Sequence, residues 1–123
     1  MRSPSARTIK FLRDQGCIAE SVEKWIPIPL HPGGGVRRDL FGCIDILAIQ
    51  GSKLLAIQST SGSNHNARVA KAMAEPRLKF YIGTSNLFEI WSWTKKGPRG
   101  KRKTWQVRVE QLTLDLNGEV IRA

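Results

Sequence analysis

A mixed α/β fold follows from three features of this 123-residue chain. Two apolar runs of strand length, residues 43–50 and 53–59, flank Gly51-Ser52, which is the pattern of a β-hairpin. Stretches with helical spacing stand on either side, at residues 5–15 and 65–74. Residues 87–94 and 104–110 alternate apolar and polar side chains and form a second hairpin near the C-terminal end. A chain of this length buries roughly two thirds of its unfolded surface, enough for one core and one domain spanning residues 1–123.

In chain order, the first helix is set by Ser5 as a cap, by the stripe Ala6, Ile9 and Leu12, and by Gly16 just past its end. Arg7, Lys10 and Arg13 share a face that suits either a phosphate backbone or plain solvent. Residues 17–26 read as one weakly alternating strand, ended by Pro27 and Pro29. Glu20 and Glu23 on it are either exposed or near neighbours of the next strand's acid. Residues 27–38 read as a glycine-rich loop, a flexible flap carrying Arg37 and Arg38. Its three glycines lack the Lys-Ser or Lys-Thr pair of a phosphate-binding loop. His31 within it reads as a loop residue.

Ser61-Gly62-Ser63-Asn64 is a turn, with Ser63 or Asn64 as the cap of the helix over 65–74. On that helix Val69 and Met73 face the core, and Arg68 and Lys71 share a side. His65 at its start is either a polar cap residue or faces a site. Residues 75–83 carry helix signals at Pro76 and Gly83 but strand-like alternation at Leu78, Phe80 and Ile82. The second hairpin has the tip Lys95-Lys96-Gly-Pro-Arg99-Gly-Lys101-Arg102-Lys103, six cations without an acid, flanked by Trp91, Trp93 and Trp105. From residue 111 the chain reads as a short strand or a loose end.

Charge narrows the partners. Twenty Lys and Arg against ten Asp and Glu leave a net charge of +10, which favours a polyanion because each neutralised phosphate releases counterions. The two cysteines, Cys17 and Cys43, form no metal-type spacing and read as buried free thiols of a reducing compartment. No apolar run has the length of a membrane span and the first residues lack a signal peptide's apolar stretch, so the expectation is a cytoplasmic protein without a membrane partner.

The chemistry concentrates in the first hairpin. Asp45 is the one charge in the run 43–50, and a buried carboxylate requires a hydrogen-bond partner or a metal ion. Gln58 and Thr60 share a face of the next strand, which Asp45 can approach through strand pairing. Asp39 shares a face with Asp45 only if the strand runs unbroken through Gly42; otherwise it pairs with Arg37 or Arg38 or orients a site residue.

This stretch resembles the core of the PD-(D/E)XK nuclease superfamily, with Ile44-Asp45 standing for the Pro-Asp of one strand and Gln58-Ser59-Thr60 for the Glu-x-Lys of the next. The look is nearest to small Holliday-junction-resolvase-like and phage nuclease-like domains, over residues 6–93 as an order of elements. The resemblance implies a restriction-endonuclease-like αβββαβ core, a central mixed sheet flanked by helices, and a helix over 75–83. It further implies a Mg²⁺ or Mn²⁺ ion held by Asp45, the Gln58 carbonyl and the Ser59 backbone carbonyl.

The expected catalytic set is Asp45, Gln58, Thr60 and Lys71, with Lys71 or Arg68 supplying the cation that the motif lacks at Thr60. The expected nucleic-acid contacts are Arg37, Arg38, Arg68, Lys95, Lys96, Arg99, Lys101, Arg102 and Lys103. Two functions follow: an endonuclease on DNA, including branched recombination intermediates, acting as a homodimer; or a nuclease-fold module that binds nucleic acid without cutting. A regulator that meets an acidic protein is a third and weaker fit to the charge.

Overall fold

A computed structural model describes residues 2–123. The chain runs α1 (Pro4–Asp14), β1 (Ile18–Ser21), β2 (Lys24–Pro27), β3 (Gly35–Arg38), β4 (Ile46–Gln50), β5 (Lys53–Ser61), α2 (His65–Met73), α3 (Leu78–Ile82), β6 (Leu87–Lys96), β7 (Thr104–Leu114) and β8 (Val120–Arg122). Six strands form one mixed, mostly antiparallel sheet in the order β1-β4-β5-β6-β7-β8, and β2 pairs with β3 in a separate ribbon. Among the described residues only β5 and β6 run parallel, joined by the crossover through α2 and α3.

The helices divide between the two faces of the sheet. Leu12 of α1 packs with Ala19, Ile46, Ala48, Leu55, Ile57, Trp91 and Trp93 on one face. Val69 and Ala72 of α2 and Leu78 of α3 pack with Ile44, Ala56, Phe88, Ile90 and Leu112 on the other. Alternation along β5 explains the split, since Leu55 and Ile57 belong to the first cluster and Ala56 to the second. Each fully buried Leu, Ile or Phe contributes about 1.5–3 kcal/mol, so both layers hold the sheet.

Several local expectations hold. The β4–β5 hairpin turns at Gly51, whose φ of +61° suits glycine. Gly16 follows α1 at φ +86°, the left-handed position past a helix end. Residues 75–83 contain the helix α3, and the chain after residue 111 continues β7 and returns as β8.

Others need correction. Ser3, not Ser5, caps α1, accepting a hydrogen bond from the Ala6 N–H, with Pro4 in the first turn. The single strand expected over 17–26 is two, because the chain leaves the sheet at Val22-Glu23 and starts the ribbon at Lys24. The expected flap at 27–38 is half strand: β3 pairs Arg37 with Trp25 and Arg38 with Lys24, so both arginines sit on a paired ribbon. β4 begins at Ile46 rather than 43, since Phe41 (φ +53°) and Gly42 (φ +73°) make a turn closed by the Leu40–Ile44 bridge. Neither Ser63 nor Asn64 caps α2 through its side chain; a 3₁₀ turn, Gly62–Asn64, leads into it.

Candidate metal-binding cleft

A cleft of about 830 Å³ opens at the end of the sheet where β5 finishes. Its walls are the first turn of α1 (Ser3 to Ala6), the β2–β3 ribbon (Arg37, Arg38), the Asp39–Gly42 turn, and Asn64, Arg68 and Lys71 around α2. Asp45, Gln58, Ser59 and Thr60 form its floor. Register places them: Ile46 pairs with Ile57, so the residue before Ile46 stands opposite the residue after Ile57. That is Asp45 across from Gln58, and Thr60 follows Gln58 on the same face.

Asp45 is 2% exposed and accepts hydrogen bonds from three donors. The Ser59 N–H lies 3.1 Å from both carboxylate oxygens, Gln58 Nε2 donates to Oδ2 at 3.1 Å, and Ser5 Oγ reaches Oδ2 at 3.4 Å. These do not offset its burial. Desolvation, together with the neighbouring Asp39 and Glu23 charges, pushes its pKa up to about 7 against the opposing pull of the Ser59 N–H.

Glu23, Asp39 and Asp45 each bring a carboxylate oxygen to within 4.8 Å of the others. Three acids from three separate segments converge, Asp45 standing just ahead of β4. Like charges this close repel unless a proton or a cation lies among them. Lys71 Nζ stands 3.9 Å from Asp39 Oδ2 and Arg37 donates to Glu23 at 3.3 Å, so cations already border the cluster.

Gln58 carries the feature that points to a ligand. Its Nε2 is spent on Asp45, while its Oε1 is buried without any hydrogen-bond partner, alone among the buried side-chain N and O atoms of the described residues. A buried carbonyl left unpaired costs about 1–3 kcal/mol. Oxygen donors only, three of them anionic, match what a hard divalent cation such as Mg²⁺ or Mn²⁺ binds. Glu23, Asp39 and Asp45 could therefore hold a metal ion, Glu23 and Asp39 being acids the sequence left open as neighbours of Asp45.

Other expected residues divide. Arg37, Arg38, Arg68 and Lys71 line the cleft. Lys95, Lys96, Arg99, Lys101, Arg102 and Lys103 do not; they lie on the β6–β7 tip. The tip nevertheless extends from the same end of the sheet, because β6 runs parallel to β5 and its Trp93 pairs with Ser61. Ser59 meets Asp45 through its N–H, and its hydroxyl donates to Thr8 Oγ1 at 2.9 Å. Thr8 also accepts from Trp93 Nε1 at 2.9 Å, which locks the start of α1 against the floor.

Glu20 is away from the site, exposed and paired with Arg13. Asp14, at the end of α1, pairs with Lys10. His65 does not face the cleft: it is buried on α2 between Ser92 and Glu110, and Glu110, held mainly by Arg122, has its carboxyl lowered to about 2. His31 is an exposed loop residue.

Sequence reasoning missed Ser5 as a cleft residue, and no spacing signal marks it, since it reaches Asp45 only by helix–sheet packing. The lysines of the tip and both free cysteines sit outside this chemistry; burial pushes the Cys43 thiol up to about 12. Among the described residues no helix is long and apolar enough to cross a membrane. Comparison of the chain with family models, curated proteins and solved structures gives no match.

Proposed function

We propose that this protein is a metal-dependent endonuclease of the PD-(D/E)XK kind that hydrolyses phosphodiester bonds in DNA. The observation that carries this reading is the pairing of a buried, proton-hungry Asp45 with the unpartnered Gln58 carbonyl at the floor of a cation-rimmed cleft. The order of elements supports it as well: a helix, an antiparallel β1-β4-β5 set with the acid just ahead of β4, a helix, and a strand parallel to β5.

Asp45 and the Gln58 carbonyl would hold the ion, with Glu23 and Asp39 as the remaining protein oxygens. When bound, a divalent cation polarises a phosphate and lowers the pKa of an attacking water. The chain's own groups do the rest. Arg37, Arg38 and Arg68 line the approach and neutralise the backbone on either side of the scissile phosphate. Ser59 fixes the Asp45 carboxylate through its N–H. Lys71 stands on the cleft wall, where an ammonium can stabilise charge on the leaving oxygen, a task beyond the Thr60 hydroxyl.

A second reading is a binding module without turnover. Thr60 in the cation's position and the Asp39 partner of Lys71 favour it. Incubation with supercoiled plasmid and with four-way-junction DNA, in Mg²⁺ or Mn²⁺, separates the two. Nicking by wild type that Asp45→Ala abolishes supports the nuclease. Salt-sensitive binding of both DNAs with neither cut assigns the binding module.

A further inference from the structure

A separate groove shares no lining residue with the acidic cleft. It is a pocket of about 180 Å³ between α1 and β6, with Arg2, Arg7, Lys10, Phe11 and Trp93 in its walls. Its one acid, Asp14, is neutralised by Lys10 at 2.6 Å. The pairing of Trp93 with Val107 and of Lys95 with Trp105 carries this face of the sheet outward to the basic tip. α1 covers Trp93, which meets the Phe11 ring edge-on at 6.1 Å. Of α1, the Arg7 side chain reaches Trp105, which stays 41% exposed, and Phe11 itself is 38% exposed.

Trp105 is not a loose surface side chain. The Arg7 guanidinium lies over one face of its ring at 3.7 Å from the centroid, which orients the indole and occupies that face, leaving a base the guanidinium plane and the exposed remainder of the ring. We infer that Trp105, set by Arg7, is a stacking platform for unpaired bases, with the half-exposed Phe11 on the same helix as a further apolar contact, so that this face holds single-stranded nucleic acid. An indole can use the face of a base only where the base is unstacked; in a duplex those faces are covered by neighbouring base pairs. The cations of the groove and the tip supply the backbone contacts that accompany stacking, and no unpaired acid opposes them. A second copy of the chain would bring cation against cation on this face, which disfavours self-association there.

This goes beyond the nuclease reading and requires no turnover. The test is fluorescence anisotropy in EDTA with a labelled oligothymidylate and with a blunt duplex of equal length. The expected result is that Trp105→Ala weakens single-strand binding about tenfold, while duplex binding changes less than about twofold. Trp105→Phe should retain most of the affinity, and Arg7→Gln should reproduce part of the loss. An unchanged circular dichroism spectrum and melting temperature establish that each variant is folded. Equal losses on both DNAs overturn the proposal in favour of backbone contact by the tip. So does no loss on either, or a change from dimer to monomer on Trp105→Ala in light scattering. Because the binding assay runs in EDTA, single-strand binding there together with no cleavage of plasmid or junction in Mg²⁺ or Mn²⁺ would sink the nuclease reading alone.

Discussion

Replacing Asp45 by Asn tests the metal site through stability. An acid whose folded pKa stands near 7, above its unfolded value of 3.8, binds its proton more tightly in the native state. Without metal, its contribution is therefore fully present below about pH 4 and is lost as pH rises through about 7. Three units at about 1.4 kcal/mol each set a ceiling of about 4 kcal/mol on that loss.

Asn cannot ionise, and a turned Gln58 amide can offer its Oε1 to the new Nδ2 while the Asn oxygen keeps the Ser59 N–H. Asp45→Asn should thus match wild type at pH 4 and exceed it progressively up to pH 8 in EDTA, by as much as about 4 kcal/mol. Urea unfolding at a series of pH values reads this out. Adding Mn²⁺ should raise wild-type stability at pH 8 and leave Asp45→Asn unmoved, because only the native wild-type site binds the ion. A variant less stable than wild type at pH 8 in EDTA, or one still stabilised by Mn²⁺, would refute the assignment of Asp45 as the destabilised, metal-ready carboxylate.

Two further outcomes follow from the cleft. Gln58→Glu adds a fourth carboxylate; titration calorimetry should show at least about tenfold tighter Mn²⁺ binding, since one added anionic ligand at an effective dielectric near 20 is worth several kcal/mol before its own desolvation is subtracted. The same variant should be less stable than wild type in EDTA at pH 8. Lys71→Gln removes a half-exposed ion pair with Asp39, so its effect on stability should stay within about 1 kcal/mol. Plasmid nicking by that variant should fall about 10- to 100-fold, and retained wild-type nicking would exclude the lysine from the chemistry.

Hydropathy alone settled a good deal. The hairpin around Gly51, the helices on either side and the tip between β6 and β7 follow from local periodicity and turn chemistry, which act over a few residues. Asp45 and Gln58 were legible for the same reason: a lone acid and an amide in apolar strands invite an explanation. Tertiary structure alone brought Ser5 to them, and it decided between the alternatives the sequence left open for Glu23 and Asp39. Glu23 arrives because the chain leaves the sheet at Val22, and Asp39 because the Phe41-Gly42 turn folds it back toward Asp45. Neither event has a period, and both depend on packing between segments far apart in the chain. His65 went the other way, drawn into the core by Ser92 and Glu110 on strands that no local pattern connects to it. Periodicity reports which face of an element is buried; which elements then meet is decided by the closure of the sheet.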